Sequence, residues 1–232
     1  MKYAVTMLTA TILVALLASA ASADYYRVTI ENLIPGLADT GNPFTPPVAV
    51  VHSSGYQMFT PGSDASPAVE ELARDGATAA LVTEANASPD VYDVQVGAMM
   101  PFFDSVEFVI EATPGDLFSV VTMLARSNDL ITGLYDEELL ASGTVYYEPP
   151  VWDAGVEVNT GAFADIPFYG NTFVGPDEDD VIATIDCYSV QDDPDYGVIE
   201  YCFPPNARIS IKYSGMSPVE DETWSRLKAL YR

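Results

Sequence analysis

The sequence predicts an all-β protein, an antiparallel β-sandwich with one or two short helices and a further helix at its C-terminus. Three observations predict it. Short runs of alternating apolar and polar residues recur along the chain, the pattern of strands with one buried face. Pro, Gly, Asn and Asp interrupt these runs at close intervals, as turns between strands require. Helix-capping chemistry, by contrast, is concentrated in two places.

In chain order, residues 26–31 (YRVTIE) alternate cleanly, and 48–51 (VAVV) form a short apolar run of the kind a fully buried strand shows. Residues 92–97, 106–111, 118–124, 181–185, 198–203 and 209–213 have strand character, with Asn42-Pro43 and Pro114-Gly115 among the breakers. The first helix signal is Ser66-Pro67 followed by Glu70-Glu71-Leu72-Ala73: an N-cap, a first-turn proline and a short helix ending near Gly76. The second is Ser217-Pro218-Val219-Glu220, a capping box that precedes Trp224, Leu227 and Leu230 at helical spacing. That C-terminal segment fits a helix docked on the sandwich. Its Arg226, Lys228 and Arg232 also leave open a basic amphipathic helix at a membrane surface.

The chain divides into three parts. Residues 1–23 have the form of a signal peptide, with Lys2 at the start, a short apolar run over 7–17 and an Ala21-Ser22-Ala23 cleavage site. The apolar run is too short for a membrane span, which needs about 20 residues. Residues 24–214 form the sandwich and 215–232 the C-terminal helix. The expectation is an exported chain, secreted or periplasmic, with no transmembrane segment after cleavage.

Charge narrows the function classes. The 232 residues carry 34 acidic and 9 basic side chains, for a formal net charge of -25. Such a field repels phosphate backbones and excludes a nucleic-acid partner. A composition that is 49% hydrophobic and 11% aromatic is nonetheless too apolar for a disordered acidic tail. Between residues 24 and 207 the only basic side chains are Arg27, Arg74 and Arg126.

In an exported chain the two cysteines most simply form one disulfide, Cys187 to Cys202. They flank the turn-forming stretch 192–197 (DDPDYG), so the bridge closes the base of a hairpin and contributes roughly 3 kcal/mol in the chain-entropy model. The spacing is not that of a redox or zinc motif.

Catalytic constellations are thin. His52, the one histidine, ends an apolar run and is read as a hydrogen-bonded structural residue, with no Gly-x-Ser-x-Gly elbow in the chain to pair with it. A carboxylate-based hydrolase stays open only because acids are so abundant. Calcium suits the composition better, since it takes six to eight oxygen ligands from loop carboxylates, carbonyls and water. The acidic loops 176–180 and 192–195 lack the Asp-x-Asp-x-Asp-Gly pattern and are read as solvated charge. A sparser grouping joins Asp129, after Ser127-Asn128, to residues 152–157 (WDAGVE). On an extended or looping segment, Asp153 and Glu157 would lie on one side and could share an ion.

The stretch 119–134 (SVVTMLARSNDLITGL), followed by Trp152-Asp153-Ala154-Gly155, resembles the spondin domain of animal extracellular matrix and of bacterial secreted proteins. Further matches in family order are 26–33 (YRVTIENL), Phe44-Thr45-Pro46-Pro47, His52-Ser53, Ala65-Ser66 and 72–76 (LARDG), so the resemblance covers about residues 25–213. It implies an antiparallel sandwich related to the calcium-and-lipid-binding domains, with one Ca2+ held by loops at one end. It also implies a non-enzymatic module that engages an extracellular glycan, matrix or cell-surface protein. Asp129 stands at the Asp of the family's Ser-Pro-Asp-Trp motif and Asp153 at the first Asp of Asp-Ala-Gly-Thr-Asp. Glu157 stands where the second Asp usually is, one methylene longer, and Leu130 replaces the aromatic. Glu107 and Glu111, on one face of the preceding strand, align with no ligand. Tyr146, Tyr147 and Trp152 are candidates for stacking on a glycan, with a core role as the alternative. A structural envelope or matrix protein with a purely fold-stabilising ion is the alternative function.

Overall fold

The computed structural model describes residues 23–36, 39–170 and 175–215. The expected signal peptide and most of the C-terminal helix therefore lie outside the described residues.

Twelve strands and two helices follow one another among the described residues. They are β1 (Asp24–Asn32), β2 (Val48–His52), α1 (Pro67–Asp75), α2 (Ala79–Ala87), β3 (Val91–Val96), β4 (Ser105–Ala112), β5 (Leu117–Met123), β6 (Leu130–Glu138), β7 (Thr144–Tyr147), β8 (Val151–Asp153), β9 (Ala183–Thr184), β10 (Cys187–Asp193), β11 (Gly197–Cys202) and β12 (Ala207–Gly215). A four-stranded sheet, β4-β1-β12-β7, faces a six-stranded sheet, β3-β2-β5-β6-β8-β9, and neighbouring strands in both run antiparallel. The separate hairpin β10-β11 pairs Cys187 with Cys202, and the disulfide joins them at the expected position.

Strand patterning sorts the layers. β1 alternates buried and half-buried residues and sends Tyr26, Val28 and Ile30 into the space between the sheets. β2 is buried on both faces. Its Ala49 and Val51 join the inter-sheet core, while Val48 and Val50 pack on the opposite side with Val69, Leu72, Leu81 and Ala85 of the two helices. The six-stranded sheet is thus a middle layer with helices on its outer face, which is why its strands lack alternation.

α1 follows its sequence signals closely. Ser66 accepts the Val69 amide, Pro67 opens the helix, and Gly76 closes it at φ 68 with its N–H on the Leu72 carbonyl. The other strands expected from alternation are present with small boundary shifts, except that 181–185 contracts to the two residues of β9. Alternation did not mark β6, β7, β8 or β10. The first five residues of β6 are all buried, so no period of two shows there.

The approach of β5 and β6 leaves no room at Gly133. A Cβ there would sit 1.8 Å from the Val120 carbonyl oxygen. We expect Gly133→Ala to destabilise the protein by about 3 kcal/mol, because main chain rather than a flexible side chain must give way. Urea unfolding of the two proteins measures it.

Candidate functional site

The site lies at the turn between β5 and β6 and at the loop that follows β8. Residues 118–134 are buried without interruption, so the polar side chains in this stretch must find partners inside the fold. Most do. Ser127 Oγ accepts the Leu130 amide (3.0 Å) and donates to the Leu124 carbonyl (2.6 Å), closing the turn. Asn128 Oδ1 accepts from the Gly161 amide (3.1 Å) and the Tyr188 hydroxyl (2.8 Å). Asp129, fully buried, accepts the Val156 amide (2.7 Å) and the Glu157 amide (3.0 Å) on Oδ2.

The loop after β8 folds to meet it. Register pairs Leu130 with Asp153, which sets the end of β8 beside Asp129. Asp153 Oδ1 accepts the Gly155 amide (2.9 Å) and Oδ2 accepts from Asn159 Nδ2 (2.6 Å). Gly155 has φ 70, and a Cβ there would fall 2.2 Å from the Asp180 carbonyl oxygen, so glycine is required. Of the extended and looping alternatives for residues 153–157, the segment takes the looping one, and the reversal at Gly155 carries Glu157 inward.

Among the described residues, four buried oxygen atoms here lack a well-formed hydrogen bond: Asp129 Oδ1, Glu157 Oε1 and Oε2, and Asn159 Oδ1, with the Gly175 amide the nearest main-chain donor to Glu157. Glu157 is fully buried and has one ionic neighbour, Arg74, whose Nε lies 3.5 Å from Oε1. Burial pushes Asp129 up to about 7 against the two amide hydrogen bonds, and the charges of Asp153 and Glu178 push the same way. Burial likewise pushes Glu157 up to about 7; Arg74 and the Gly175 amide oppose this, while Asp129 and Asp75 add to it.

The structure therefore sets the buried Asp129 and Glu157 beside each other, the Glu157 amide on Asp129, and leaves the half-buried Asp153 next to them with both oxygens hydrogen-bonded. Among the described residues no three His, Cys, Asp or Glu side chains stand together at metal-ligand spacing. Sequence reasoning missed Asn159, Arg74 and Glu178. No spacing marks them, because they reach the site through loop folding and through α1. Outside this pair, an acidic cleft of about 550 Å³ is lined by Asp64, Glu70, Glu71, Asp75 and residues 177–180, with Arg74 at its inner wall.

Other candidates take structural places. His52 Nδ1 donates to the Ser53 carbonyl, and its Nε2 lies 2.8 Å from Ser119 Oγ. Both side chains are fully buried, so this pair presents no nucleophile to a substrate. Glu107 is on an exposed face and pairs with Arg27. Trp152 is core, edge-on to Phe59 at 5.3 Å, Tyr147 is half-buried, and Tyr146 is 67% exposed.

The sequence model of one family, Spondin_N, matches residues 35–163, more than half of the chain. The chain belongs to the spondin family. No curated protein matches it. The matched region of this spondin protein contains Arg74, Asp129, Asp153 and Glu157. The hairpin β10-β11 and the 175–180 segment fall beyond it. Family and disulfide together are those of an extracellular protein. Among the described residues no helix is long and apolar enough to cross a membrane.

In the ion-free protein the two raised carboxyls set a pH dependence. Each has a folded pKa above its unfolded value, so the folded state binds more protons between about pH 4 and pH 7. Stability in chelator is then full below that window and falls, by up to about 1.4 kcal/mol per pH unit for each carboxyl, as pH rises through it. Asp129→Asn is expected to flatten the slope, and urea midpoints between pH 4 and 8 measure it.

Proposed function

We propose that this spondin protein is an exported, non-enzymatic recognition module that holds one Ca2+ through Asp129 and Glu157, with Asp153 supporting the loop and facing the same ion. The orphaned oxygens carry this reading. Three carboxylate oxygens and one amide oxygen are buried together without well-formed hydrogen bonds, which costs free energy unless a cation meets them. Hard oxygen donors of this kind suit calcium, and a glutamate can offer it both oxygens. Water and main-chain carbonyls would complete a shell that the side chains alone do not fill.

Joining carboxylates that otherwise repel would order the 153–161 loop against the β5–β6 turn. That end of the sandwich would present the surface that meets an extracellular glycan, a matrix component or a cell-surface protein. The family supports a module of this type, and the inaccessible His52–Ser119 pair offers an enzyme reading nothing.

Asp129→Asn is the discriminating variant, because its amide oxygen can still accept the Val156 and Glu157 amides while the other position loses its charge. Asp153→Ala is less clean, since it also removes the bond to Gly155. We expect calcium at constant ionic strength to raise the melting temperature saturably, with about 2.7 kcal/mol gained at a hundredfold excess over Kd. The rise should vanish in Asp129→Asn. A rise of equal size in both proteins would instead be diffuse screening of the acidic surface. Binding to glycan arrays and cell-wall fractions, with and without chelator, tests the recognition role, and we expect chelator to abolish it.

A further inference from the structure

Arg74 is the one cation in contact with the buried carboxylates among the described residues, and the manner of that contact is informative. Its closest approach to Glu157 is 3.5 Å, from Nε to Oε1, and no hydrogen bond forms there. The directed bonds of the guanidinium go elsewhere. Nη1 donates to Asp177 Oδ1 at 3.0 Å, and Nη2 donates to the Val156 carbonyl at 3.5 Å. Arg74 therefore supplies charge to Glu157 without using its lone pairs, which stay available to another cation.

The side chain is also placed to move. It leaves the last turn of α1, which is fixed to the middle sheet by Val69, Leu72 and Ala73. Its own surface is 28% exposed, along the wall of the acidic cleft. Glu70, Glu71 and Asp75 line that cleft on the helix side, and Asp177 and Asp179 on the loop side. A guanidinium displaced from Glu157 has carboxylates to receive it within the reach of its own stem.

We propose that Arg74 is the resident counter-charge of the site: it holds Glu157 in the ion-free protein and sets calcium affinity by repelling the ion it yields to. The proposal rests on the calcium reading above. An ion bound to Glu157 would stand near the guanidinium in a buried setting, where like charges repel strongly. Affinity is thereby lowered, and the ion-free fold is kept from carrying an unpaired buried carboxylate.

The test is calcium titration by calorimetry on wild type, Arg74→Gln and Arg74→Lys, with melting in chelator and in saturating calcium. Arg74→Gln is expected to bind calcium about tenfold or more tightly. It should melt lower than wild type in chelator and show a larger calcium-induced rise. Arg74→Lys keeps the charge on a different shape, and its Kd should stay within about threefold of wild type. Unchanged or weaker binding by Arg74→Gln, while wild type still binds, overturns the counter-charge and leaves the calcium site standing. Tightening by Arg74→Lys as large as that by Arg74→Gln also overturns it, because charge would then not be the cause. Absence of calcium binding in both wild type and Arg74→Gln overturns the site and the counter-charge together.

Discussion

A fully buried carboxylate with two amides on one oxygen organises the functional end of this protein. Asp129 sits at the base of β6, in the middle layer, and its Oδ2 collects the main chain of Val156 and Glu157 from a loop 27 residues further on. Charge-assisted bonds to main-chain amides are short and directional, so they fix where that loop runs. Once they form, Gly155 must reverse the chain, Asp153 must cap its own turn, and Glu157 is carried inward. The 176–180 segment then pairs with 155–158, donating from Glu178 to the Val156 carbonyl and from Asp180 to the Gly155 carbonyl. One buried acid thus positions two loops and the helix residue that meets them.

The three-layer arrangement explains why this end can hold such charges at all. With helices on its outer face and the four-stranded sheet on its inner face, the six-stranded sheet has no solvated side from Phe118 in β5 to Leu134 in β6. The turn joining these strands is sealed as well, through Ser127, Asn128 and the Asn42 side chain, which accepts the Arg126 amide at 2.8 Å. Polar groups placed there are bound or costly. The turn meets its needs with protein partners at nearly every atom. The exceptions in the turn are Arg126 Nε, the Asn128 amide nitrogen and Asp129 Oδ1, and the facing loop adds both Glu157 oxygens and Asn159 Oδ1.

Legibility in the sequence followed the same physics. β1 and β12 have one face toward the core and one toward solvent, so alternation revealed them. α1 was legible because its caps are local chemistry, and the disulfide hairpin because a turn sequence lies between its cysteines. β6 was opaque because burial on both faces erases the period. At the site, Asp129 and Asp153 stood out through family motifs rather than spacing, and a single left-handed glycine decided between an extended and a looping segment before Glu157. Arg74 and Asn159 carried no signal, since their relevance comes from tertiary placement 83 residues before Glu157 and two residues after it.

The acidity of the whole chain and the single arginine beside the buried carboxylates bear on one another. With 34 acids in the chain and only three basic residues between positions 24 and 207, the general field favours any cation near the surface and does not choose among them. Selection has to come from buried geometry, where a few oxygens without well-formed hydrogen bonds offer a small, hard site. An uncompensated pair of buried carboxylates would be a standing cost to the fold, and a fully neutralised pair would have nothing left for an ion. A guanidinium at 3.5 Å, bonded elsewhere, falls between these limits: it offsets the charge at Glu157 and leaves the oxygens free. On the calcium reading proposed above, the same arrangement would tie an ion at Asp129 and Glu157 to α1 and to the acidic cleft through Arg74.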